Sequence, residues 1–123
     1  MTITYAQLIT RIIDDGIVAA KADYTNADET HKLEGSIAGF EACRNKNPRE
    51  LVVLWQDAER KSMEQYRETA DITKYWWWRC YAMEVEWVCN VVSVGLDQPL
   101  MAHLPTTRGA MKYAEIVGVA SAV

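Results

Sequence analysis

The stretch Tyr75 to Val94, reading YWWWRCYAMEVEWVCNVVSV, leaves this chain few ways to fold. It carries four of the five tryptophans and two of the three cysteines, and only Arg79, Glu84 and Glu86 in it are charged. At the helical 100° per residue, Tyr75, Glu86, Asn90 and Ser93 fall within about 40° of Arg79 as a narrow polar stripe. Trp76, Trp77, Cys80, Tyr81, Trp87, Val88, Val91, Val92 and Val94 spread over most of the remainder. A helix that is apolar on more than half its circumference must be surrounded by others. The pattern predicts an all-α, single-domain bundle of about five helices around a central Trp-rich helix at about 72–95.

The flanking segments supply the other helices, predicted at about 5–23, 27–45, 48–68 and 107–118. Thr4 and Gln7 have the spacing of a capping box, and Tyr5, Ile9, Ile12, Ile13, Gly16, Ile17 and Ala20 then recur at helical period. Asn26 opens the second helix with Glu29 as its reciprocal cap, and Leu33, Ile37 and Phe40 form its core stripe. Asn47-Pro48-Arg49-Glu50 starts the third, combining a cap, a proline at the first position and an acid three residues after the cap. Leu51, Leu54, Trp55, Ala58, Ser62 and Tyr66 are expected to face inward there, and Asp57, Arg60, Lys61, Glu64, Arg67 and Glu68 outward. Asp71 caps the central helix, and Gly95 with Asp97-Gln98-Pro99 ends it. The last helix is expected to bury Met111, Tyr113, Ala114 and Val117, with Ala120 to Val123 frayed.

Charge and cysteine usage narrow the classes of function. The net charge is −4, and phosphate backbones need a basic face, so nucleic acid is not expected as a partner. Three cysteines without C-x-x-C spacing indicate neither a zinc site nor a disulfide framework; they read as reduced, buried side chains in a cytoplasmic protein. No signal peptide is visible, and Trp87 to Leu96 is far too short an uncharged run to span a membrane. His31 has Asp28 and Glu34 at helical spacing, but no matching set recurs, so it reads as a solvent-exposed histidine and no metal or cofactor is expected.

Three places are not explained by a bland bundle. Glu84 lies inside the apolar arc with Cys80 and Val88 one turn away on either side. A lone carboxylate there must pair with a cation, raise its pKa or line a cavity. Its functional reading is an acid, base or ligand anchor in a pocket walled by Trp77, Trp87 and Tyr81; the structural alternatives are a Glu–Arg or Glu–Tyr pair or a gap open to solvent. Gly35, Ala38, Gly39 and Ala42 make a face of small residues on the second helix. Glycine costs about 1 kcal/mol against alanine inside a helix, so the pair implies a close backbone crossing, either within the chain or in a homodimer. Thr106, Thr107, Arg108 and Gly109 join hydroxyls and a guanidinium to a helix N-terminus, chemistry suited to an anion, with Arg79 as a further cation.

No nucleophile motif or Walker-type phosphate loop is present. The two-pair magnesium site of all-helical nucleotide pyrophosphohydrolases would need acids on two facing helices. Glu84, Glu86 and Asn90 could form one half, while Asp57, Glu64 and Glu68 lie on the outward face. The expectation is a non-catalytic binding or interaction protein, acting on another protein or on itself as a homo-oligomer. Its size and acidity suit an accessory or inhibitor protein such as phages and mobile elements encode. The alternative is a protein, catalytic or not, that binds a nucleotide-like or phosphorylated ligand at Glu84, with Arg79, Thr107 and Arg108 supplying the contacts to negative charge.

Overall fold

A computed structural model describes residues 2–68, 70–100, 106–117 and 119–120. The elements run β1 (Thr2–Ile3), α1 (Tyr5–Asp23), α2 (Thr30–Ala42), α3 (Pro48–Glu68), α4 (Ile72–Gly95), α5 (Arg108–Val117) and β2 (Val119–Ala120). The all-α bundle is as expected, and α4 is its axis: it packs against each of the other four helices. Val85, Val88, Val91 and Val92 of α4 have no exposed surface, and they meet Leu8, Ile12 and Ile13 of α1, Phe40 of α2 and Leu51 of α3 in one core. Each such aliphatic side chain contributes about 1.5–3 kcal/mol when fully buried.

Local chemistry sets most boundaries. Thr4 and Gln7 close the capping box on α1, at 3.1 Å from Gln7 N to Thr4 Oγ1 and 2.9 Å from Thr4 N to Gln7 Oε1. Asn47 and Glu50 do the same for α3, and Asp71 Oδ1 accepts from the amides of Thr73 and Lys74 to open α4. The start of α2 differs from expectation. Asn26 makes no side-chain cap; its Nδ2 donates to Glu29 Oε1 at 3.1 Å, a 3-10 turn spans Ala27–Glu29, and α2 proper begins only at Thr30 and ends at Ala42.

Three predicted orientations are corrected. Tyr66 is 68% exposed, its ring set 5.6 Å from that of Tyr75 on α4 rather than in the core. Met111 points outward at 43% exposure, and Ala110, one residue earlier, takes the inward position on α5. Ala120 is not frayed: β1 and β2 form a two-residue parallel ladder with Thr2 opposite Val119 and Ile3 opposite Ala120. Residues 101–105, with His103, and 121–123 lie outside the described residues.

The small-residue face of α2 packs within the chain. A Cβ on Gly35 would collide with the carbonyl oxygen of Trp77, and one on Gly39 would lie 2.6 Å from that of Tyr81. Of the two crossings the small residues allowed, the intramolecular one against the fourth helix is observed, and Gly35 and Gly39 are buried in it. Ala42, one turn on, is half-buried. No helix of the described residues is long and apolar enough to cross a membrane.

A methyl group at position 35 must push two backbones apart. Gly35→Ala is expected to cost about 1–3 kcal/mol of unfolding free energy in urea titrations, despite alanine's better helix propensity. Gly109→Ala, whose Cβ would meet only the Trp87 ring at 3.5 Å, is the matched control and should be neutral or mildly stabilising. Equal effects at the two positions would refute the close-crossing account.

Candidate functional site around Glu84

The α2–α4 crossing decides where Glu84 sits. Its Cβ lies 3.3 Å from the point a Gly39 Cβ would occupy, so the side chain leaves α4 directly beside the glycine. Glu84 is half-buried, and Ser36, 1% exposed on α2, hydrogen-bonds to it. No ion pair reaches it among the described residues. Burial raises its pKa to about 7, partly opposed by the Ser36 hydrogen bond and reinforced by the charge of Asp23. Of the outcomes open to it from the sequence, a raised pKa and a place in a cavity wall both hold.

That cavity, of about 380 Å³, lies between α1, α2, α4 and α5. One side is the α1 stripe Ile12, Asp15, Gly16, Ala19, Ala20 and Asp23, with Tyr24 at its end; opposite stand Met83, Glu84 and Trp87 of α4, with Phe40 and Tyr113 completing the wall. Gly16 is what admits Phe40, since a Cβ there would fall on the phenyl ring. Tyr113 OH donates to Asp15 Oδ2 at 2.6 Å and its ring meets Trp87 edge-on at 6.0 Å, bracing α5 across the cavity to α1. At the far end Tyr24 OH lies 3.9 Å from Cys80 Sγ, and burial lifts the phenol to about 12.

A second cavity, of about 310 Å³, shares Met83, Glu84 and Trp87 with the first and adds Arg79, Glu86, Asn90 and Thr107. Asn90 is 4% exposed; its Nδ2 donates to Glu86 O at 3.1 Å, and its Oδ1 has no hydrogen-bond partner among the described residues. Glu86 also titrates above the ordinary carboxylate range, chiefly through burial and then through Glu59. Arg79 is engaged by Glu59 at 3.6 Å.

The residues expected at the site divide accordingly. Glu84, Trp87, Arg79 and Thr107 come together in the smaller cavity. Trp77 and Tyr81 do not belong with them: their rings stack on each other at 5.6 Å and 18°, because α2 occupies the space over their backbones and turns both rings aside. Trp77 lines a separate depression with His31, Glu34, Asp71, Lys74 and Trp78. His31 is half-buried there rather than free in solvent. Arg108 is exposed at the first position of α5 and lines neither cavity around Glu84, while Thr107 caps the helix by accepting from Ala110 N at 3.2 Å.

The polar stripe of α4 runs from half-buried to buried positions. Tyr75, Arg79 and Glu86 are half-buried, but Asn90 and Ser93 are buried, and Ser93 Oγ accepts from Leu100 N at 3.1 Å. Sequence reasoning missed Asp15, Asp23, Tyr24 and Phe40. The spacing of Asp15, Ala19 and Asp23 on one face of α1 was visible, but nothing local says that this face looks across a gap.

No protein-family model matches the chain, and comparison with curated proteins and with solved structures returns no match.

Because Glu84 holds its proton up to about pH 7 in the folded state and releases it near 4.5 when unfolded, the folded state binds more protons between those values. Stability therefore falls as pH rises through that window, by up to about 3 kcal/mol, and is level on either side. Glu84→Gln should remove this component: urea titrations at pH 4.5 and 8 should show the variant gaining on wild type at the higher pH. A pH-independent difference would mean that Glu84 is solvated.

Proposed function

We propose that this chain is a small acidic binding protein without catalytic activity, and that the cavity beside Glu84 is its recognition site. One observation carries the reading. A cavity of about 380 Å³, within the range of ligand pockets, is walled by four aromatic rings and holds a desolvated carboxylate with no ion-pair partner among the described residues. Such a group persists at a cost to stability, which is characteristic of functional positions. The non-catalytic part of the reading is supported by the thiols: Cys43, Cys80 and Cys89 are all buried, and burial pushes each above its ordinary pKa, away from the nucleophilic thiolate. Size and acidity support an accessory or inhibitor role of the kind that phages and mobile elements encode.

Self-association is a second reading, favoured by one patch. Tyr66 and Ile72 are 68% and 64% exposed at the junction of α3 and α4, beside Tyr75 and Trp76, whose rings are 5.3 Å apart. Aromatic side chains of this kind anchor interfaces, and a second copy of the chain would cover them.

Two measurements separate these readings. In a nitrogen-15 NMR screen of small polar fragments, shifts should cluster at residues 15–24 and 83–87, and Glu84→Gln should weaken the best binder at least tenfold. Clustering elsewhere on the surface would reject the cavity as the recognition site. In sedimentation velocity, Ile72→Asp should convert any dimer to monomer, and a dimer insensitive to it would reject the patch.

A further inference from the structure

Resting on the cavity being the recognition site, we infer that its ligand is an organic cation, an ammonium or guanidinium group on a short apolar stem. The walls specify this. Asp15, Asp23 and Glu84 are the ionisable acids lining the cavity, and no lysine, arginine or histidine is among its described lining residues. Tyr24, Phe40, Trp87 and Tyr113 contribute ring surface, and the negative face of an aromatic ring attracts a cation placed over it. Gly16, Ala19 and Ala20 leave the α1 side free of bulk, which makes room for a stem.

Charged and polar groups face Glu84 from several helices. On α1, Asp15 is shared with Tyr113 OH at 2.6 Å and with Arg11 at 3.5 Å, whereas Asp23 has no ion pair among the described residues. On α2, Ser36 is the facing polar group. On α4, Arg79 and Glu86 face Glu84 through the smaller cavity, where Arg79 is held by Glu59. On α5, Tyr113 titrates well above neutrality and stays an uncharged donor. The field inside the larger cavity is thus negative from two helices, α1 and α4. Asp15 is already answered by Arg11 and Tyr113, but an anionic ligand would meet Asp23 and, above its pKa, Glu84, and a neutral one would leave their charge unanswered.

Binding should also be proton-linked. With a pKa of about 7, Glu84 is about one-tenth ionised at pH 6 and about nine-tenths at pH 8, so affinity for a cation should rise about tenfold between them. A neutral ligand would show no such rise.

The test uses the full chain and three probes of one shape: phenethylammonium, 2-phenylethanol and phenylacetate, titrated by NMR and tryptophan fluorescence at pH 6 and pH 8. The expected result is binding of phenethylammonium at residues 15–24 and 83–87, at least tenfold tighter than either other probe and about tenfold tighter at pH 8. Glu84→Gln should abolish the pH dependence, and Asp23→Asn should weaken binding without abolishing it. If 2-phenylethanol or phenylacetate binds the same residues as tightly, the cavity remains a recognition site and the cation assignment is overturned. If no probe perturbs these residues at either pH, the recognition site itself is overturned. A lysine-containing tripeptide blocked at both ends identifies the source: weaker binding than phenethylammonium supports a free amine, and tighter binding assigns the cation to a partner's side chain.

Discussion

The contact between the backbones of α2 and α4 is the constraint on which the rest depends. Two helices approach this closely only where one presents no side chain, and Gly35 and Gly39 present none to the carbonyls of Trp77 and Tyr81. Everything unusual about the molecule follows from that approach. The Trp77 and Tyr81 rings are turned aside and stack on each other, Ser36 is buried, and Glu84 leaves its helix next to Gly39 into a space that water reaches poorly.

The opposite side of Glu84 is arranged in the contrary way. Where α2 touches α4 backbone to backbone, α1 packs on α4 through Leu8 and Ile12 but leaves a gap beside Glu84, bordered by Phe40 inserted at Gly16 and by the Tyr113 brace to Asp15. A tight crossing on one side and a gap on the other leave a carboxylate desolvated and still reachable. Either half alone would give a familiar outcome, a packed core or a solvated surface acid. Together they make an aromatic-walled cavity holding carboxylates beside an aliphatic core of Leu8, Ile12, Val85, Val88 and Leu51 that carries the stability.

How much of this could be read beforehand depended on whether the signal was local. Capping at Thr4, Asn47 and Asp71 is local chemistry, and the starts of α1, α3 and α4 were legible from it. Glu84 was legible as an anomaly because its apolar neighbours lie on its own helix. The walls of its cavity were not, since Asp15, Asp23 and Phe40 reach it through the packing angle of α1 and α2, which helical periodicity does not encode. The misplacement of Trp77 and Tyr81 has the same origin: a helical wheel says that they share a face with Glu84, but not that glycines of another helix lie over that face. Asn26 looked like a cap and instead bonds Glu29 within a 3-10 turn, a competition between two local solutions that residue type alone does not settle. The two-residue ladder joining Ile3 to Ala120 is too short to leave any alternation in the sequence.

The most direct test of this account is the titration of the Glu84 carboxyl itself, followed by carbon-13 NMR on protein labelled at glutamate and assigned by comparison with Glu84→Gln. A midpoint near 7 is the result predicted for a carboxylate desolvated between the α2 crossing and the α1 gap. A midpoint at the ordinary value of about 4.5 would place Glu84 in free solvent and contradict the account of both the crossing and the cavity.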